Sequence, residues 1–110
     1  MGAHEPAETG GIMRYVFDID GVICNTTGME YADATPFWDT IERIRHLKED
    51  GHTVVFYTAR GAVSGTDWGE VTRDQLEQWE IPYDELYFGK PAGDFYIDDK
   101  AINISDWTRP

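Results

Sequence analysis

Cys24 is the lone cysteine among 110 residues, which excludes an intramolecular disulfide framework and suits a reducing compartment. Basic residues are scarce too: nine Lys and Arg stand against 21 Asp and Glu, a formal net charge of −12. That balance disfavours nucleic acid and anionic membrane as partners, since both need clustered cations. Histidine is sparse, and His4, His46 and His52 fall in the N-terminal tail, on a helix and before a strand. None stands where catalysis is expected, so surface roles are expected for all three. No apolar run approaches the roughly 20 residues of a membrane span, and no signal-peptide core is visible. The expectation is a cytoplasmic protein without a membrane partner, long enough for one domain and too short for two.

The chain does carry a core: 41% of its residues are hydrophobic and 14% aromatic. Residues 1–11 lack apolar periodicity and read as a disordered tail, leaving 12–110 as one domain. A first strand is expected from Met13 to Phe17. An irregular stretch follows, and Thr35-Pro36 then reads as the start of a helix with Phe37, Ile41, Ile44 and Leu47 on one face. Thr-Val-Val-Phe-Tyr within 52–57 is a buried second strand. Thr66 or Asp67 can cap a second helix carrying Trp68, Val71, Leu76 and Trp79. Strands at 86–88 and 95–97 complete the pattern. Alternating strands and helices argue for an α/β domain: small, Rossmann-like and three-layered, with a mainly parallel sheet of about four strands. The four tryptophans are read as packing in the core or an interface.

Polar groups stand at or just beyond the carboxyl ends of these strands. The first ends in Asp18-Ile19-Asp20-Gly21, the second in Thr58-Ala59-Arg60, and the fourth in Asp98-Asp99; the third leads into Gly89-Lys90-Pro91. Parallel strands present their carboxyl ends on one edge, where ligands bind in open α/β sheets. Each residue alone has a bland explanation as a turn, a cap or a solvated charge. Together they form a set: clustered carboxylates call for a hard, oxygen-loving cation such as Mg²⁺. Lys90 and the Thr58 hydroxyl add what a phosphoryl group needs. A carboxylate offset by such charges can attack phosphorus, and a second one can carry the proton. Cys24 lies beside aspartates, the wrong setting for a reactive thiol, and reads as packing.

These four segments resemble, in order, the four motifs of the haloacid dehalogenase (HAD) superfamily of Mg²⁺-dependent phosphatases. The resemblance runs from about Met13 to Trp107. It implies that Asp18 is nucleophile and metal ligand. Asp20 is implied as general acid/base, lending its backbone carbonyl to the metal. Thr58 and Lys90 are implied as phosphoryl-binding, with Gly21, Ala59 and Arg60 at the substrate. In the fourth motif a Gly93-Asp94 register competes with the paired Asp98-Asp99 register. The apolar run 95–97 favours the pair, with Asp99 on the metal and Asp98 orienting Lys90 or a metal-bound water. The segments 81–91 and 96–101 are further similar to small phosphatases of capsular-polysaccharide biosynthesis, which implies a sugar or polyol phosphate as substrate. The paired aspartates are also similar to nucleotidases and polynucleotide 3′-phosphatases.

Neither interval between motifs can house the cap domain common in that superfamily. A capless phosphatase is therefore implied, with the loop from Val22 to Ala34 as the local candidate for a flap, or with a neighbouring subunit of a homo-oligomer closing the site. Asn25, Tyr31 and the 60–67 loop are candidate specificity elements. Two alternatives stay open: a phosphatase for nucleotides, nucleic-acid 3′-ends or phosphoproteins, and a non-catalytic phosphate-binding or assembly protein.

Overall fold

The structure, a computed structural model, describes residues 11–89, 93 and 95–97. Most of the expected tail lies outside these residues, as do Lys90, Asp98, Asp99 and Trp107. Strand β1 spans Arg14–Asp18 and is followed by two short strands, β2 at Cys24–Asn25 and β3 at Thr35–Pro36. Helix α1 covers Trp38–Glu49, β4 Thr53–Tyr57, and α2 Gly69–Gln78. Strands β5, Glu85–Tyr87, and β6, Phe95–Ile97, follow.

Strands β5, β4, β1 and β6 form one sheet in that order, and every pairing in it is parallel. The register sets Val16 beside Val55, and Phe17 between Phe56 and Ile97. Alternation then separates two faces. Phe17, Val54, Phe56 and Ile97 point to a face where Ile41 and Ile44 of α1 and Leu76 of α2 complete a single buried cluster. Both crossovers, β1 to β4 and β4 to β5, step the same way along the sheet. Right-handed connections then put both helices on one face. Each fully buried side chain of this size stabilises the fold by about 1.5–3 kcal/mol.

The opposite face carries Val16 and Val55, both fully buried, and a Cβ on Gly93 would collide with the Val16 side chain. Further along, Arg14 on β1 reaches across to Glu85 on β5 with two bonds of 2.9 and 3.0 Å. The described residues thus make a Rossmann-like sheet with one helical layer; a second helical layer is not among them.

Three local features differ from the sequence-based expectation. Thr35-Pro36 does not open a helix: it pairs with β2 in an antiparallel hairpin, and α1 starts at Trp38. Asp67 does serve α2, accepting the Gly69 N–H at 2.8 Å, although Trp68 is the residue at the cap. His52 is buried, and its Nδ1 accepts the Met13 N–H at 3.0 Å. It holds the entry to β1 and is not a surface residue.

Candidate active site

Strand β1 delivers Asp18 to the sheet edge and the chain then turns sharply. The N–H groups of Val22 and Ile23 both donate to the Ile19 carbonyl, at 3.3 and 3.0 Å, and Gly21 N–H donates to the Cys24 carbonyl at 2.8 Å. Gly21 sits at φ +87°, in the left-handed region that favours glycine. Ile19, Val22 and Ile23 are buried beneath this turn, so Asp18 and Asp20 are both held at the carboxyl edge of the sheet. The β2–β3 hairpin continues from the turn, and Phe37 N–H donates back to the Ile23 carbonyl at 2.9 Å.

At the end of β4, the Thr58 N–H donates to the Tyr87 carbonyl at 3.0 Å. The Thr58 hydroxyl accepts the Arg60 N–H at 3.0 Å and donates to Asp20 Oδ2 at 3.3 Å. Two of the expected stations are therefore in direct contact.

Arg60, expected at the substrate, directs its guanidinium at Asp20 and α2. Its side chain is wholly buried. Nε donates to Asp20 Oδ2 at 3.0 Å and Nη2 to Asp20 Oδ1 at 2.8 Å, a bidentate ion pair. Nη1 donates to Thr72 Oγ1 at 3.0 Å and Gln75 Oε1 at 2.8 Å, and Nη2 also approaches Cys24 Sγ at 3.8 Å. The guanidinium lies 4.8 Å from the centre of the Tyr31 ring.

Besides the fork, Asp20 accepts from the Thr26 and Thr58 hydroxyls and, at 3.8 Å, from the Cys24 thiol. Thr26 Oγ1 donates to Oδ1 at 2.6 Å, beside the Thr58 hydroxyl on Oδ2. Burial pushes the Asp20 carboxyl up, but the bonds from Arg60, Thr26 and Thr58 outweigh it and hold the group below the usual aspartate range. Asp20 is thus a carboxylate at neutral pH. The neighbouring Cys24 thiol moves the other way, pushed up to about 11 chiefly by burial, with the Asp20 charge adding to it. It stays a packed thiol, as the sequence suggests.

A cleft of about 350 Å³ opens over this edge, lined by Asp18, Asp20, Gly21, Asn25, Tyr31 and Arg60 among others. A second, of about 270 Å³, is lined by Thr58, Ala59, Thr66, Asp67, Trp68 and Phe88. Ala59 and Arg60 border both. Asp18, Asp20, Gly21, Thr58, Ala59 and Arg60 are therefore gathered in one place. Lys90, Asp98 and Asp99 lie outside the described residues. Among the described residues no three His, Cys, Asp or Glu side chains gather as a metal-holding group.

Three contributors escape a reading of the sequence, Thr26, Thr72 and Gln75, whereas Tyr31, expected as a specificity element, does line the cleft. Thr72 and Gln75 carry a usable signal. They are polar residues three apart on the buried face of α2, beside Leu76, and a buried polar pair demands a partner. Gln75 Nε2 also donates to the Tyr31 carbonyl, tying the hairpin loop to α2.

No protein-family model matches the chain, and no curated protein matches it. Solved structures do. A crystal structure of a protein from Vibrio cholerae superposes with a TM-score of 0.72 at 28% identity, covering 88% of each chain. A conserved protein from Bacteroides thetaiotaomicron gives 0.61 at 17% identity, over 84% of this chain and 79% of that one. Both share the small α/β fold with this chain.

Proposed function

We propose that the chain is a Mg²⁺-dependent phosphomonoester hydrolase of the HAD type, capless and cytoplasmic. It acts through an aspartyl-phosphate on Asp18, with a small sugar or polyol phosphate of polysaccharide biosynthesis as substrate. One observation carries this proposal: a parallel sheet brings Asp18, Asp20 and Thr58 to the same carboxyl edge, beside an open cleft. The motif resemblance supplies the remainder, since Lys90 follows β5 and Asp98-Asp99 follow β6 directly in sequence.

In this mechanism an Asp18 carboxylate oxygen attacks phosphorus and the bond to the leaving oxygen breaks. Water then attacks the phosphoryl-Asp18, releasing phosphate and restoring the carboxylate. Asp20, a carboxylate at rest, takes up a solvent proton before passing it to the leaving oxygen, and then accepts a proton from the attacking water. Its four acceptor positions are filled in the structure, so one donor must yield. Thr58 is the natural one, because its hydroxyl is the longest of the four N–H and O–H bonds and can turn to an arriving phosphoryl oxygen. The side chains bordering the cleft fit a hard cation, with the oxygen donors of Asp18, Asp20, Asn25 and Thr26. Asp18, the backbone carbonyl of Asp20 and the Asp98-Asp99 pair would hold Mg²⁺. It would neutralise charge on the transferring group.

A non-catalytic phosphate-binding protein is the second interpretation, favoured by the saturated Asp20, which a purely structural ion pair would also explain. Phosphate release from p-nitrophenyl phosphate separates the two. We expect release that requires Mg²⁺, stops with chelator and is lost in Asp18→Asn. Wild-type turnover in Asp18→Asn would remove the nucleophile assignment. A screen across sugar phosphates, nucleotides, phosphopeptides and 3′-phosphorylated oligonucleotides then tests the substrate class.

A further inference from the structure

We propose that Arg60 is a positioning residue: it fixes the Asp20 carboxylate and does not bind the substrate phosphate. This rests on the phosphatase proposal above. The guanidinium has five N–H donors, and each has an acceptor within the protein. Nε meets Asp20, Nη1 meets Thr72 and Gln75, and Nη2 meets Asp20 and Cys24. None is left for a phosphoryl oxygen, and the side chain has no exposed surface through which one could arrive.

The arrangement is a strut. Thr72 and Gln75, three residues apart on the buried face of α2, orient one nitrogen, and the far edge of the fork sets the plane of the Asp20 carboxylate. The Tyr31 ring stacks on it, and Gln75 also holds the Tyr31 carbonyl. The placement of Asp20 therefore depends on a helix that has no other part in the chemistry. A single bond from a surface arginine would not give this rigidity; a filled, planar fork does.

The step that isolates this role is the second one. p-Nitrophenolate leaves as a stable anion, so formation of phosphoryl-Asp18 from p-nitrophenyl phosphate needs no proton from Asp20. Hydrolysis does need Asp20: the water oxygen bonds to phosphorus, its proton passes to Asp20, and the phosphorus–Asp18 oxygen bond breaks. A displaced Asp20 slows this step alone.

Rapid-quench kinetics with Mg²⁺ on wild type, Arg60→Lys and Gln75→Leu tests it. Lys keeps the charge that a phosphate-binding role needs but loses the fork. For Arg60→Lys we expect steady turnover about tenfold slower, a burst of p-nitrophenolate near one per active site, and a KM that does not rise. Gln75→Leu, behind the arginine and away from the cleft, should show the same burst with a smaller loss, and it serves if Arg60→Lys does not fold. A raised KM without a burst, or wild-type turnover in both variants, overturns the assignment. A wild-type enzyme that releases no p-nitrophenolate overturns the phosphatase proposal itself, a distinct result seen before any variant is compared.

Discussion

Gly61 shows how narrowly individual residues are specified around the cleft. It sits at φ +85°, and a Cβ there would collide with the Thr66 carbonyl oxygen, which is backbone and cannot swing away. Gly61→Ala should cost about 1–3 kcal/mol of stability and disturb the loop bordering both clefts, as measured by urea unfolding. By contrast, Gly21 has open space around it and is held to glycine by its torsion alone. At this scale the sequence is an uneven guide. Asp18, Asp20 and Thr58 are legible because each follows an apolar strand directly. Arg60 is legible as a residue at the sheet edge, but its bonds to Thr72 and Gln75 are not, since these lie on a helix far along the chain.

At the scale of elements, the sheet strands are clear in the sequence and the connections are not. Runs such as Thr-Val-Val-Phe-Tyr suit strands of a buried sheet, and the observed β4, Thr53–Tyr57, is that run. The β2–β3 hairpin is invisible because each strand is two residues long, and its pairing comes from the buried turn before it. The helices hold the sheet through few large side chains, so Leu76→Ala should destabilise by about 2–5 kcal/mol in denaturant unfolding.

Acid should act on the same elements. The Arg14 fork and the Tyr87 hydroxyl pull the Glu85 carboxyl from 4.5 to about 2, and Asp20 is also held below its ordinary range, against its own burial, by the bonds from Arg60, Thr26 and Thr58. A carboxyl with a lowered folded-state pKa adds stability above its unfolded value and loses it as pH falls through the folded one. Thermal unfolding should therefore be insensitive to these groups near neutrality, with the melting temperature dropping between about pH 4.5 and about pH 2. Glu85→Gln should flatten part of that slope.

For the whole molecule, the fold supplies an edge and a cleft, and the chemistry depends on how that edge is populated. The described residues contain no inserted domain over the cleft; the β2–β3 hairpin, anchored through Thr26 and Tyr31, is what borders it. The proposed small phosphorylated metabolite suits such an open site, and the net charge of −12 works against polyanionic substrates. If Mg²⁺ belongs to the mechanism, activity should vanish on chelation and return on Mg²⁺ addition, with the fold unchanged by circular dichroism. The central claim is that Asp18 carries the phosphoryl group. Acid quenching during turnover, followed by peptide mass spectrometry, tests it most directly. A phosphoryl adduct on the Asp18 peptide, absent in Asp18→Asn, is the predicted result. Rapid phosphate release with no adduct on that peptide, or with the adduct on another residue, would contradict it.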